Sequence, residues 1–100
     1  MPKLFKSLLL ALLATLSLGA LAQEAAIRKN IATRLPQLKA IDEVRKTDMP
    51  GLFELRVNGT EIYYTDAQAN YLIEGNLIDT RNRRNLTDER VRSEERRVGK

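Results

Sequence analysis

Apolar residues recur at Ile27, Ile31, Leu35 and Leu38, at spacings of four, four and three. That spacing puts them on one helical face and predicts a helix over 24–35. Pro36 has no amide to donate and disfavours helix at Leu35, so the helix stops or kinks there. Arg28, Lys29, Asn30 and Arg34 fill the opposite side and read as a solvated face. The period then changes. Ile41 to Thr47 is a weak, charged strand candidate, and Met49-Pro50-Gly51 reads as a turn.

The stretch LFELRVNGTEIYYTD, residues 52–66, carries two alternating runs around Asn58-Gly59. That dipeptide is the signature of a two-residue type I′ hairpin. A two-residue loop sets Val57 opposite Thr60, Arg56 opposite Glu61, Leu55 opposite Ile62, Glu54 opposite Tyr63 and Phe53 opposite Tyr64. Phe53, Leu55, Val57, Ile62 and Tyr64 then share one face. Glu54, Arg56, Glu61 and Tyr63 share the exposed one, where Arg56 and Glu61 form a cross-strand ion pair. Asn58-Gly59-Thr60 and Asn85-Leu86-Thr87 both fit a glycosylation sequon; the first reads as turn chemistry and the second as a helix start.

After a polar connection, NYLIEGNLID, residues 70–79, reads as a third strand of the meander. Tyr71, Ile73 and Leu77 share a parity with Gly75, while Leu72 and Ile78 take the other. Thr80 to Asn85 is polar and basic and ends the sheet. Arg81, Arg83 and Arg84 read as a solvated loop rather than an anion site. Thr87-Asp88-Glu89 predicts a helix N-cap with acids in the first turn, and a helix too short to bury anything. The third strand has one neighbour, and no proline or lysine guards its other edge. A long apolar edge of this kind is a template for another chain. Gly75 removes a side chain where two such edges would cross.

Composition narrows the chemistry. The chain has 100 residues, no cysteine and no histidine. This excludes thiol catalysis, disulfides and cysteine-based metal sites, and removes the commonest general base and zinc ligand. No cofactor or metal is expected. Asp42 with Glu43, and Asp88 with Glu89, are adjacent pairs that do not converge as an acid and a base. Lys3 and Lys6 precede an apolar run over Leu8–Leu18, and Ala20-Leu21-Ala22 is a small-x-small site followed by Gln23. That is the order of a secretory signal peptide, cut after Ala22, rather than of a membrane span. Without Lys3 and Lys6, 15 of the 17 basic residues remain against 13 acids. A surplus this small does not point to nucleic acid. The mature protein is expected to be exported, with no membrane attachment after cleavage. At about 70 ordered residues it is small enough for association to be a common remedy for marginal stability.

Four segments, PGLFEL, YYTD, YLIEGNLID and NLTDER, occur in an order and spacing that resemble the N-terminal domain of periplasmic thiol:disulfide interchange proteins of the DsbC/DsbG type. The resemblance covers roughly residues 25–91. It implies an α+β, cystatin-like fold, with a helix packed on a small antiparallel sheet and a linker helix starting at the C-terminal end. It implies a periplasmic homodimer paired through strand 70–77, with Asn70, Tyr71, Leu72, Ile73, Glu74, Gly75 and Asn76 at the interface. In that family a thioredoxin-like domain with a CxxC pair does the chemistry on misfolded exported proteins, and this chain has no such pair. The expected division is a signal peptide over 1–22, the dimerisation domain over 23–85, the start of the linker helix over 86–91 and a charged tail over 92–100. The tail, RSEERRVGK, departs from the family's linker and resembles translated adapter read-through from a truncated frame. The alternative is a stand-alone exported binding protein or inhibitor with a cystatin-like sheet.

Overall fold

A computed structural model describes residues 19–38 and 40–99. The basic start and the apolar run expected to form an export signal lie outside the described residues. Helix α1 is continuous over 19–34 and passes through the proposed cleavage site, where Ala20, Leu21 and Ala22 are exposed. It ends where Pro36 requires, with the Leu35 amide closing on the Ile31 carbonyl at 2.8 Å. Ile27 and Ile31 are fully buried, and Leu35 and Leu38 pack partly against them, as the spacing predicts.

The sheet is a four-stranded antiparallel meander, β1 (Ile41–Lys46), β2 (Phe53–Val57), β3 (Glu61–Thr65) and β4 (Leu72–Ile73), in that spatial order. The weak candidate at 41–47 is thus a true edge strand. The turn at Met49-Pro50-Gly51 closes through the Leu52 amide on the Met49 carbonyl, with Gly51 at φ 80°. Phe53 and Leu55 meet α1 in a core completed by Ala69, with Val44, Tyr63 and Leu72 packed at its border.

The hairpin register differs from the sequence reading by one residue. Asn58 and Gly59 do take left-handed φ values of 54° and 86°. Thr60 joins the turn, however, and pairing resumes at Glu61, so Val57 faces Glu61, Leu55 faces Tyr63 and Phe53 faces Thr65. A slip of one residue moves every side chain of β3 to the other face. Tyr63 and Thr65 therefore lie on the α1 side. Ile62 and Tyr64 lie on the side of Glu54 and Arg56, opposite to expectation. The expected Arg56–Glu61 pair is replaced by Arg56 with Glu43 at 3.3 Å, while Glu61 accepts from Asn58 Nδ2 at 2.7 Å. The turn is tied to β1 at a bulge, where Asp42 Oδ2 accepts the Gly59 amide at 2.7 Å.

The reason for the slip is a second helix. α2 runs over Leu86–Gly99 and covers the sheet face opposite α1. Both parities of β3 then find cover, so alternation alone no longer selects the register. Glu54, expected on an exposed face, is 6 % exposed, and Arg90 Nε donates to its two carboxylate oxygens at 2.9 and 3.2 Å. Arg90 also reaches Glu43 at 3.1 Å and Glu94 at 3.1 Å. Burial disfavours the Arg90 cation, but its hydrogen bonds to Glu54 and Glu94 and the negative charges of Glu54 and Glu43 outweigh it and raise its pKa. The expectation that the last helix buries nothing is overturned: Thr87 and Glu94 are both buried. Residues 86–91 and 92–99 form one uninterrupted helix. Its cap is Asn85, whose Oδ1 accepts the Asp88 amide at 2.9 Å. Thr87, predicted as the cap, instead bonds the Tyr64 hydroxyl and accepts the Leu77 amide at 2.8 Å.

Candidate association edge

The long strand expected over 70–79 is divided. Leu72 and Ile73 pair with Thr65 and Tyr64, and the ladder then stops. Ile78–Asp79 (β5) belongs to a separate two-stranded hairpin with Arg84–Asn85 (β6). The basic stretch 80–83 is the turn of that hairpin rather than a loop that ends the sheet. The Asp79 carboxylate caps it, accepting amides from Arg81 and Asn82 at 3.1 and 3.2 Å. Arg84 pairs with Glu89, its Nε at 2.9 Å, so the three arginines do not converge on an anion. The break at Gly75 has a tertiary cause. Thr87 and Leu86 hold the amide and carbonyl of Leu77, pulling the chain off the sheet toward α2.

Between β3 and that hold, residues 70–76 form the free side of the sheet. Asn70, Tyr71, Ile73, Glu74, Gly75 and Asn76 are exposed, while Leu72 packs inward. Tyr71 at 76 % and Ile73 at 49 % are among the most exposed large apolar side chains among the described residues. The parity reading holds over 71–73, where Tyr71 and Ile73 are exposed and Leu72 packs against the core, and it fails beyond the break, where Leu77 is held toward α2 and Ile78, of Leu72's parity, is exposed. A Cβ placed on Gly75 meets nothing within 4 Å of its own chain.

Two residues that sequence reasoning passed over hold this edge in place. Asp66, taken as part of a polar connection, accepts the amides of Asn70 and Tyr71 through Oδ1 at 2.7 and 3.1 Å. Burial works against the Asp66 carboxylate, but the amides of Tyr71 and Asn70 outweigh it and hold its pKa below the ordinary value. Arg34, taken as part of a solvated face, donates to the Ala69 carbonyl at 3.0 Å and to Asn70 Oδ1 at 3.1 Å. An aspartate a few residues before a strand is a recognisable turn signal; nothing in the helical pattern marks Arg34. No group of three or more acidic or histidine ligands that could hold a metal occurs among the described residues. The chain has no cysteine, so it cannot itself carry out thiol–disulfide exchange, which needs an attacking thiolate.

The fold and edge define a small α+β domain: a helix laid on an antiparallel meander that ends in an open, partly apolar strand. Residues 19–88 match the family described as the disulfide bond isomerase protein N-terminal domain. The chain belongs to that family. The probable thiol:disulfide interchange protein DsbC of Bordetella avium is 39 % identical over 66 residues, covering 66 % of this chain and 23 % of that protein. Its counterpart in Bordetella pertussis is 38 % identical over 68 residues, or 68 % of this chain and again 23 % of the relative. The chain thus spans about a quarter of the length of these relatives. No solved structure matches it.

Proposed function

We propose that this chain is the homodimerisation module of a periplasmic protein disulfide isomerase, pairing through residues 70–77 with the same segment of a second copy. The observation that carries the reading is the open edge over 70–76, with Tyr71 and Ile73 exposed beside a backbone that pairs on one side only. Antiparallel pairing of two such edges is isologous, so one patch serves both partners and the β4 edge of each copy is covered. The small core makes the same point energetically, because a domain of this size gains part of its stability from a partner. On this reading the thiol chemistry on misfolded exported proteins belongs to a thioredoxin-like part of the parent protein.

Gly75→Arg tests the pairing. In the single chain the added side chain meets open space, so its steric effect falls on the partner. Light scattering on residues 23–100 should show a wild-type dimer at tens of micromolar, roughly the range where a weak specific interface is populated. Gly75→Arg should be monomeric there, because two symmetry-related arginines would crowd and repel each other. Gly75→Ala reports separately on the backbone, which has φ 158° at this position. Glu61→Gln, exposed at the start of β3, should leave association unchanged. A monomeric wild type, or a Gly75→Arg variant as dimeric as wild type, would rule out this edge.

Export is supported by the order of basic, apolar and small residues at the N-terminus. Expressed in an exporting bacterium, the secreted product should begin at Gln23 by intact mass. Retention of Met1 in that product would refute cleavage after Ala22.

A further inference from the structure

β4 has only two ladder residues, Leu72 and Ile73, which is too little to fix the direction of the segment that leads into and out of it. The loop before it is held from two sides. Within the loop, the Asp66 carboxylate takes the amides of Asn70 and Tyr71, and the Asp66 carbonyl takes the Ala69 amide at 3.0 Å. The buried Thr65 hydroxyl donates to the Tyr71 carbonyl at 2.6 Å. From α1, Arg34 Nη1 donates to the carbonyls of Gln68 and Ala69 at 3.3 and 3.0 Å, and Asn30 Nδ2 donates to Gln68 at 2.8 Å. Arg34 makes no ion pair among the described residues, so its donors serve the loop's carbonyls and the Asn70 amide group. Ala69 sits at φ 56° with its side chain 5 % exposed in the core. A left-handed alanine is an uncommon conformation that persists when surrounding bonds over-determine it. The inward-facing polar groups of 66–71 are therefore satisfied within the chain, and the outer side of 72–76 is left open.

We infer that Asp66 and Arg34 are positioning residues for the association edge: together they hold the backbone of residues 70–72 in the one orientation that presents its free side to a second copy. The inference rests on the pairing proposed above. It predicts that association can be lost while the core stays folded. A pre-set strand has less ordering to undergo on pairing, and losing the clamp returns that cost to the association step.

The test compares Asp66→Ala, Asp66→Asn and Arg34→Met in residues 23–100, with Arg28→Met as control. Arg28 lies on the same helix and also donates to a carbonyl, but that carbonyl belongs to Ile41, away from the edge. Association is read by sedimentation equilibrium, and local order by amide exchange at Tyr71 and Ile73 against Leu55 in the core. Asp66→Ala and Arg34→Met should raise the half-association concentration about tenfold or more, with faster exchange at Tyr71 and Ile73 and unchanged protection at Leu55. Arg28→Met should stay within about threefold of wild type, and Asp66→Asn, which keeps an acceptor oxygen, should lie between wild type and Asp66→Ala. Wild-type association in both Asp66→Ala and Arg34→Met overturns the clamp while leaving the pairing intact. So does an equal loss of protection at Leu55, which would make the effect global. A wild type that stays monomeric overturns the pairing itself, and the clamp's part in association with it.

Discussion

Arg90→Met should cost about 2 to 4 kcal/mol of folding stability, read as a lower urea midpoint by circular dichroism. A broken buried pair typically costs about 3 to 5 kcal/mol, and this one is partly open to solvent. Arg90 is the cation on which Glu43, Glu54 and Glu94 converge from β1, β2 and α2. Its side chain is 19 % exposed and that of Glu54 only 8 %. Without Arg90, the Glu54 carboxylate remains under α2 with no counter-charge, facing Tyr64 across the ladder. Arg56 cannot replace Arg90, because it already serves Glu43 and Asp42. The double variant Glu54→Leu/Arg90→Leu removes both charges, and most of the loss should be recovered, since apolar packing replaces buried pairs at little net cost. A single Arg90→Met variant as stable as wild type would mean that α2 does not depend on this contact.

Leu55→Ala should be the more damaging change. Leu55 is fully buried at the centre of β2, paired with Val44 on one side and Tyr63 on the other, beneath Ile27 and Ile31. Truncating a buried leucine costs about 2 to 5 kcal/mol, through lost transfer energy and the cavity left behind. A core this small supplies stability of only about 3 to 5 kcal/mol. The variant should therefore be largely unfolded at low concentration. On the pairing proposed above, raising the protein concentration should restore part of its ellipticity, because association would favour the folded state by mass action. Ile62→Ala, on the partly buried α2 face, should cost less. Equal midpoints for Leu55→Ala and wild type would contradict the described core.

The two variants probe opposite faces of one sheet, and the faces were unequally legible. The α1 side was readable because Ile27 and Ile31 repeat at helical spacing and Phe53, Leu55 and Val57 alternate. Apolar burial follows such periods directly. The α2 side was not, because it is polar. Glu54, Arg56 and Arg90 look like solvated charges until a helix brings them together over distances of up to 36 residues. The β3 register differs for the same reason: alternation places Ile62 and Tyr64 on a single apolar face, and a polar second cover leaves no mark in the pattern. For the edge, the parity of Tyr71, Leu72 and Ile73 was readable, while its length was not. The strand stops short because Thr87 and Leu86 capture Leu77, contacts made by a side chain ten residues away and a backbone amide nine residues away.

What the sequence by itself determined is local in origin. The helix and its stop at Pro36, the left-handed turn at Asn58-Gly59 and the opposite parities of Leu72 and its neighbours Tyr71 and Ile73 follow from propensity, turn chemistry and period. So does the lack of any thiol chemistry, which follows from composition alone. Tertiary structure decided what depends on two distant groups sharing one place. It set the β3 register by covering both faces, made Glu54 a buried partner of Arg90, and assigned the helix cap to Asn85 by drawing Thr87 to Tyr64. It also made Asp66 and Arg34 the supports of an open edge. The physical reason is that hydrogen bonds and ion pairs carry no periodic signature along the chain. Their partners are chosen only when packing has brought the backbone segments together.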